Sequence, residues 1–168
     1  MFEHLTSVDL QQWIRGLGDA PGSKTFLWED SDFWAFVVSG PNHRTAFHVN
    51  PGDEIFHQLA GETQLHFVRP EGRRVTILRP GEFFLLPARV PHSPRREAGS
   101  WTLVITPKRT ADAEERWFWY CDRCGATLHE VGLVGRRMGE DVVAEAARAL
   151  RAEEARRTCP RCGHRSVV

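Results

Sequence analysis

The chain has 168 residues, of which 41% are hydrophobic and 26% charged, a balance typical of a soluble globular protein. Lys+Arg and Asp+Glu number 22 each, with 12 of each sign up to Thr110 and 10 of each after it. The sequence therefore lacks the excess of positive charge that nucleic-acid binding needs. No apolar run approaches the roughly 18 residues of a membrane helix, and no secretory signal pattern opens the chain, which predicts a cytoplasmic protein.

The first hundred residues predict an all-β domain preceded by one short helix. The helix is expected to be capped by Thr6 or Ser7 and to end at Gly16. After it, short apolar, aromatic and β-branched runs alternate with Gly-, Pro- and Asn-rich turns, without room for crossover helices, which favours a sandwich or barrel. The predicted strands are Lys24–Trp28, Phe33–Val38, Arg44–Val49, Glu54–Leu59, Thr63–Val68, Arg74–Leu78, Glu82–Leu86 and Ser100–Thr106.

The last third of the chain predicts a small appended unit. Thr110–Glu115 has the composition of a polar linker, Leu128–Val134 predicts part of a hairpin, and Glu140–Arg157 predicts a helix. The apolar face of that helix consists of Val143, Ala146, Ala147 and Leu150. We therefore expect a catalytic β-barrel at residues 1–110 and a metal-binding tail at residues 111–168.

Two histidines and a glutamate predict a metal site inside the β domain. His48 and Glu54 lie on consecutive predicted strands, and His92 follows a later strand. Each residue alone is typical of an ordinary hydrogen-bonded side chain. Together, two imidazoles and a carboxylate can occupy one face of an octahedral ion, leaving positions for substrate and dioxygen, as in non-haem Fe(II) oxygenases. His57 is expected to face outward, because it differs from Glu54 by an odd number of residues.

Two arginines near these residues predict an anion-binding site. Arg44 lies four residues before His48, and both side chains lie on the same face of the predicted strand. Arg96 lies four residues after His92. A buried arginine is costly unless it is paired, and a substrate carboxylate held by two guanidinium groups would supply the pairing. The alternative is that each arginine pairs with a structural acid such as Asp53 or Glu97.

Four cysteines predict a second metal site. Cys121 and Cys124 form one Cys-x-x-Cys-Gly sequence, and Cys159 and Cys162 form another. Four thiolates from two such turns form a tetrahedral site for zinc or iron. Two disulfides are the alternative, which the missing export signal disfavours. A closed shell of four ligands and a balanced charge favour a structural role for this site.

Two segments of the β domain resemble the paired motifs of the cupin superfamily. Gly40–Gly61 has the sequence GPNHRTAFHVNPGDEIFHQLAG, and Gly81–Arg96 has the sequence GEFFLLPARVPHSPRR. The resemblance implies a jelly-roll β-barrel. Ala46 stands where many cupins have a first histidine, which leaves as metal ligands His48, Glu54 and His92.

The cupin motifs and the cysteine-rich tail together resemble bacterial 3-hydroxyanthranilate 3,4-dioxygenases over nearly the whole chain. The matching segments are Trp28–Phe33, Gly40–Thr45, Phe83–Pro87, His92–Pro94, Glu97–Ser100, Trp119–Gly125 and Cys159–Gly163. The resemblance implies a homodimeric Fe(II) enzyme that uses O2 to open the ring of 3-hydroxyanthranilate or a related ortho-aminophenol carboxylate, with a product that closes to quinolinate. It implies that Arg44 and Arg96 bind the substrate carboxylate. It also implies a rubredoxin-like iron or zinc in the tail that ring cleavage does not need.

Two positions depart from this family and concern the substrate. Thr106 stands where the family has a glutamate that contacts the amino and hydroxyl side of the substrate, and a threonine is no general base near neutral pH. Lys24 stands where the family has an asparagine. These departures leave open a different catechol or aminophenol acid as substrate. The other classes considered are a non-catalytic small-molecule-binding cupin and a metal-dependent isomerase.

Overall fold

A computed structural model describes residues 7–18, 21–28, 31–135 and 140–168. Within these residues the chain forms three helices and eleven strands, numbered here in chain order. The helices are α1 (Leu10–Gly16), α2 (Glu140–Ala152) and α3 (Glu154–Arg157). The strands are β1 (Lys24–Trp28), β2 (Phe33–Ser39), β3 (Phe47–Val49), β4 (Glu54–Ala60), β5 (Thr63–Arg69), β6 (Gly72–Leu78), β7 (Phe83–Leu86), β8 (His92–Arg96), β9 (Trp101–Pro107), β10 (Glu114–Tyr120) and β11 (Thr127–Val134). No helix in the described ranges has the length and apolar character of a membrane span.

The strands form two antiparallel sheets. The first has five strands in the order β1-β2-β9-β4-β7, and the second has six in the order β11-β10-β3-β8-β5-β6. Alternate side chains of the two sheets form one apolar cluster, as expected when each strand turns one face toward a core. Its buried members are Phe36, Phe56, Leu65, Leu78, Leu86 and Val104. The predicted all-β architecture is confirmed.

Helices cover parts of both sheets. Ile14 of α1 packs with Val37, Leu59 and Leu103 on the five-stranded sheet. The predicted apolar face of α2 packs against the six-stranded sheet, where its buried residues contact an alanine and two tryptophans. This second cluster comprises Ala46, Trp117, Trp119, Val143 and Leu150. The short helix and the tail helix both follow the pattern expected from their apolar spacing.

The N-terminal cap differs from the predicted one. Asp9 is the N-cap of α1, and its carboxylate accepts a 2.9 Å hydrogen bond from the backbone N–H of Gln12. Asp9 can do this because it stands three residues before a free N–H of the first turn. Ser7 precedes this position, and Thr6 lies outside the described residues.

Two strand boundaries in the cupin-like motifs also differ from the sequence prediction. The predicted strand Arg44–Val49 begins only at Phe47, so Arg44 lies in irregular chain before it. His92 does not follow a strand but begins β8, which contains Pro94 and pairs with β3 and β5. The prolines around His92 argue against a strand, so the sequence did not predict β8, which forms because it pairs with strands far away in the chain.

The expected polar linker is wrong at Glu114 and Glu115, which lie in β10. This strand pairs with β3, so that Trp117 stands opposite His48. Its buried residues alternate, with Glu115, Trp117 and Trp119 turned inward. The division of the chain at residue 110 stays a prediction, since β10 and β11 beyond it continue the six-stranded sheet.

Two glycines at the ends of the first motif pack against one turn. A Cβ atom on Gly40 would lie 1.8 Å from the carbonyl oxygen of Glu97, and a Cβ atom on Gly61 would lie 2.8 Å from Cα of Ser100. Gly61 also has a backbone φ of +60°, a conformation that residues other than glycine rarely adopt. The turn from Glu97 to Ser100, which directly follows Arg96, therefore packs closely against the residues that directly follow β2 and β4.

Candidate active site

The two sheets bring the three predicted metal-binding side chains together. His48 of β3 stands directly opposite His92 of β8 in the six-stranded sheet, while Glu54 begins β4 of the facing sheet. All three are buried, and their ligand atoms lie within 4.8 Å of one another. A site between two sheets thus forms from residues that are only six and 38 positions apart along the chain.

The surroundings of His48 and Glu54 favour the protonation states that bind a metal. Burial lowers the pKa of His48 well below its ordinary value, which favours the neutral imidazole. Burial alone would raise the pKa of Glu54, but the neighbouring His92, with His48 and Arg44, lowers it to about 2. A neutral imidazole and an ionised carboxylate are the forms that coordinate divalent ions.

Unsatisfied buried atoms at this point fit a metal ion. His92 Nδ1 lies 3.0 Å from the carbonyl oxygen of Val90, which orients the ring and leaves Nε2 for a ligand. His92 Nε2 lies 2.9 Å from Oε2 of Glu54. Among the described residues, His48 Nε2 and Glu54 Oε2 have no hydrogen bond of good geometry although both are buried. A cation bound between these atoms would satisfy them together.

The two predicted arginines are held close to the metal-binding residues. Asn42 and Arg96 exchange two backbone hydrogen bonds of 2.8 Å, and the Asn42 side chain accepts 2.9 Å from the N–H of Arg44. Ser93 donates 2.8 Å to the carbonyl oxygen of Arg44. The guanidinium of Arg44 lies 4.6 Å from the ring centre of Trp117. Two separate segments are thereby tied into one cationic wall.

Burial disfavours the positive charge of Arg96 in this wall. The Arg96 side chain is 3% exposed, and its Nε donates 3.1 Å to the hydroxyl of Thr102. Burial, followed by the charge of Arg44, lowers the pKa of Arg96 to about 9, against the opposing effect of Glu54. An anion bound here would offset both effects.

Asp53 and Glu97 are the structural acids considered as partners of the two arginines. The carboxylate of Asp53 accepts a 2.7 Å hydrogen bond from the backbone N–H of Ala88. Glu97 is exposed, and its backbone carbonyl oxygen accepts a 2.7 Å hydrogen bond from the hydroxyl of Ser100. The anion-binding role of the arginines stays a prediction.

Thr106 and Lys24 both line the cavity of the site. The buried hydroxyl of Thr106 accepts 2.9 Å from Nδ2 of Asn50 and donates 2.9 Å to the carbonyl oxygen of Asp53. Its role here is to tie the chain before β4 to β9. The Lys24 ammonium lies 4.3 Å from the ring centre of Phe36, a cation–π distance.

A buried ion pair, Arg109 with Glu115, lines the same cavity and was missed in the sequence. Arg109 donates two hydrogen bonds to the carboxylate, at 2.7 and 2.9 Å. Oε1 of Glu115 also lies 2.6 Å from Nε2 of His48. The available signal was the alternation of Glu115 with Trp117 and Trp119, which puts the acid on the same face as two large apolar residues.

The cavity has a volume of about 200 Å³. This is below the roughly 300–1,000 Å³ of pockets for drug-sized ligands, which favours a single-ring molecule. Apolar walls come from both sheets, and Trp117 stacks on His48 with ring centres 4.3 Å apart. His57 faces away from the cavity, as its parity predicts, and stacks on Phe83 at 3.9 Å.

The four cysteines meet in the tail. Their sulfur atoms lie within 4.8 Å of one another, with Cys121 to Cys162 at 3.6 Å and Cys124 to Cys159 at 3.5 Å. These separations exceed a disulfide bond of about 2.05 Å and match the edges of a tetrahedron with metal–sulfur bonds of about 2.3 Å. The cysteines are free thiols, as a metal site requires.

The two cysteine turns have the same backbone geometry. The N–H of Gly125 donates 3.0 Å to the carbonyl oxygen of Cys121, and the N–H of Gly163 donates 2.8 Å to that of Cys159. Both glycines have positive φ, +72° and +69°. The glycine after each pair is therefore needed for a left-handed turn, as the repeated sequence predicts.

Solved structures of similar fold include a cupin. A protein from Neisseria meningitidis superposes with a TM-score of 0.52 at 20% identity, covering 61% of this chain and 99% of that one. A cupin-2 domain-containing protein from Shewanella frigidimarina has a TM-score of 0.50 at 21% identity, covering 58% and 92%. These likenesses show the fold alone, and they confirm the predicted cupin jelly roll.

Sequence comparison extends the likeness to a family. Residues 1–148 match the sequence model described as 3-hydroxyanthranilic acid dioxygenase. A 3-hydroxyanthranilate 3,4-dioxygenase of Bacillus thuringiensis is 38% identical, covering 98% of this chain and 93% of that protein. One of the same name from Burkholderia lata is 39% identical, covering 98% and 96%. The chain therefore belongs to the 3-hydroxyanthranilic acid dioxygenase family.

Proposed function

We propose that this protein is a non-haem Fe(II) dioxygenase that cleaves the ring of 3-hydroxyanthranilate or of a closely related ortho-aminophenol carboxylate. The observation that carries the proposal is one small cavity lined by a buried metal-binding set and by two arginines. The set consists of His48, Glu54 and His92. The names of relatives that are 38–40% identical over nearly the whole chain support the same activity.

The metal in this proposal is Fe(II), held by the two imidazoles and the carboxylate. Three protein ligands on one side of the ion leave its other positions open. Bound there, Fe(II) supplies the electron-transfer chemistry that lets dioxygen, the co-substrate, react with an aromatic ring. Every described ligand side chain is buried, so competing water has little access.

The residues around the ion bind and orient the substrate. The carboxylate of the ring acid lies against Arg44 and Arg96, whose guanidinium groups offer paired N–H donors. This contact turns the adjacent amino and hydroxyl groups toward the metal-binding set. Trp117 and Phe36 contribute flat walls that favour a planar ring. Orientation of this kind lowers the entropic part of the barrier.

The four cysteines hold iron or zinc in a structural role. Their ligand shell is complete with four sulfur atoms, so no position is open for a substrate. The site joins the end of β10 to the last residues of the chain, where Cys159 and Cys162 lie. Free thiols that act as ligands are typical of a reducing compartment, which supports a cytoplasmic location.

A homodimer is supported by an exposed apolar surface on the five-stranded sheet. Leu85 and Phe83 of the edge strand β7 are 60% and 67% exposed. Ile55 of β4 pairs with Leu85 and is 39% exposed. Clustered apolar residues on one sheet face are typical of an interface. A second copy of this chain, with the same surface, is the proposed occupant.

Oxygen consumption tests the proposed activity. The Fe(II)-loaded protein is expected to consume O2 with 3-hydroxyanthranilate or with one member of a small panel of aminophenol and catechol carboxylates. Ring opening is followed in parallel by the ultraviolet spectrum of the product. A non-catalytic binding protein would bind ring acids without consuming O2, and an isomerase would convert its substrate without oxygen. Either result contradicts the dioxygenase.

Removal of one ligand tests the metal assignment. His48→Ala is expected to lose the metal between the sheets while the cysteine site keeps its own, because the two sites share no ligand. Cys159→Ser is the matched reciprocal variant, which loses the tail metal and keeps the other. Metal content per chain, measured by mass spectrometry, distinguishes the two. Unchanged iron content in His48→Ala would contradict the assignment.

Arg44→Ala tests the anion-binding role. Loss of hydrogen bonds to a charged group costs about 1.5–3 kcal/mol, so KM for the carboxylated substrate should rise by about 10- to 100-fold. KM for 2-aminophenol, which lacks the carboxylate, should change little. The exposed Arg74→Ala variant is the control for lost surface charge. Equal increases for both substrates would reject the role.

Leu85→Asp tests the proposed interface. A charge in the centre of an apolar contact is costly to bury, so this variant is expected to run as a monomer where the wild type is a dimer. Light scattering coupled to size-exclusion chromatography measures the mass. Val75→Asp, at a 53% exposed position of the other sheet, is the control and should stay dimeric. An unchanged dimer in Leu85→Asp would place the interface elsewhere.

A further inference from the structure

The cavity contains a second buried carboxylate that the metal-binding set does not use. Glu115 is 1% exposed and lines the cavity from β10. Arg109, which follows β9, holds both of its oxygen atoms at 2.7 and 2.9 Å. The guanidinium of Arg109 also lies 5.4 Å from the ring centre of Trp34. The carboxylate is therefore fixed in one orientation at the cavity wall.

The position of Glu115 relative to His48 resembles that of Glu54 relative to His92. In each pair a carboxylate oxygen lies close to an imidazole Nε2, at 2.6 and 2.9 Å, without hydrogen-bond geometry at His48 Nε2. Glu115 is nevertheless outside the set whose ligand atoms all lie within 4.8 Å of one another. It therefore lies beside the metal-binding set, at His48, without belonging to that set.

The cavity is lined by the two arginines of the proposed anion site, Arg44 and Arg96, and by the ion pair of Arg109 with Glu115. The carboxylate of Glu115 lies at His48, a member of the metal-binding set. A ring acid with its carboxylate against the two arginines and its amino and hydroxyl substituents at the metal-binding set brings those substituents to the part of the cavity that Glu115 lines. Those substituents are N–H and O–H donors, and Glu115 is an acceptor.

The hydroxyl of Thr106 lines the same cavity, but it is a weaker hydrogen-bond acceptor than a carboxylate and already has two partners. Its hydroxyl is engaged by Asn50 and by the carbonyl oxygen of Asp53. Asn50 directly follows β3, next to the pair formed by Val49 and Arg116. Glu115 and Thr106 therefore line the same cavity from different strands, β10 and β9.

We propose that Glu115 accepts hydrogen bonds from the amino or hydroxyl group of the bound ring acid, and that Arg109 is the positioning residue that holds it there. This inference rests on the proposed function for the class of substrate. Glu115 is then a specificity-determining residue, because it favours ring acids with donors next to the metal position. A fixed acceptor needs no reorganisation when the substrate binds.

Glu115→Gln tests the contact, because the amide keeps the size of the side chain but presents N–H donors to the donors of the substrate. The ring acid that the wild type binds is titrated without oxygen into metal-loaded protein, with tryptophan fluorescence as the readout. Its dissociation constant should rise by about tenfold or more, the effect of losing a hydrogen bond to a charged group. Benzoate, which has the carboxylate alone, should bind with the same constant, and metal content should not change.

Moving the carboxylate to β9 of the other sheet gives a rescue test. Thr106→Glu in the Glu115→Gln background is expected to recover most of the lost affinity for the ring acid. Arg109→Lys, which weakens the hold on Glu115, should give an intermediate loss for the ring acid and none for benzoate. If Glu115→Gln does not fold, Glu115→Asp keeps the ion pair and retracts the carboxylate, and it should show the same selective loss.

Three results would overturn the inference. Lost metal in Glu115→Gln would make the residue a ligand, and equal losses for benzoate and the ring acid would make its role structural. Unchanged binding of the ring acid by Glu115→Gln, or by Glu115→Asp as the substitute, would remove the contact. The proposed function fails separately, since a wild type that binds the ring acid without consuming O2 would contradict the dioxygenase while the contact stands.

Discussion

The structure depends on keeping one carboxylate charged between two β-sheets. Glu54 is 6% exposed, and such a charge is stable only when neighbouring groups replace the lost water. His92, His48 and Arg44 together do so, since their effects on the pKa of Glu54 outweigh burial. The register of β3 with β8 and the position of the irregular segment before β3 are therefore coupled to the same charge. A shift in either would leave the carboxylate without compensation.

Charge balance in the cavity follows from this constraint. Arg44 and Arg96 reduce each other's stability as buried cations, while Arg109 and Glu115 neutralise one another. A bound anion would stabilise the charges of the first pair, whereas the second pair is already neutral as a whole. Under the proposed function, the first pair holds the carboxylate of the substrate and the second lies near its hydrogen-bond donors. Neither the net charge of zero nor the composition of the chain reveals this separation.

The fold, and the residues that come together as a possible metal site, could be predicted from the sequence because their signals are local. Turn residues separate the strands, and His48, Glu54 and His92 occur in two short motifs with glycine and proline at fixed distances. Arg44 was placed in a strand, but it lies in irregular chain held by Asn42 and Ser93. The N-cap of α1 is Asp9, two or three residues after the predicted caps Ser7 and Thr6.

Glu115 could not be assigned from the sequence for a physical reason. Two adjacent acids after a polar stretch are typical of a solvated linker, and only the pairing of β10 with β3 decides which of them turns inward. That pairing joins residues far apart in the chain, so no local pattern contains it. The buried partner, Arg109, is six residues away and separated by a turn, which hides the ion pair as well.

Strand β10 has a fixed length because both of its ends are anchored. Glu115 near its start faces the cavity, and Cys121 follows its last residue and belongs to the four-cysteine site. An insertion or deletion of one residue between them would turn either the acid or the thiol to the opposite face of the sheet. The spacing from Glu115 to Cys121 is thus a constraint shared by the cavity and the tail. Homologous chains that retain both groups should vary in sequence along this strand but not in its number of residues.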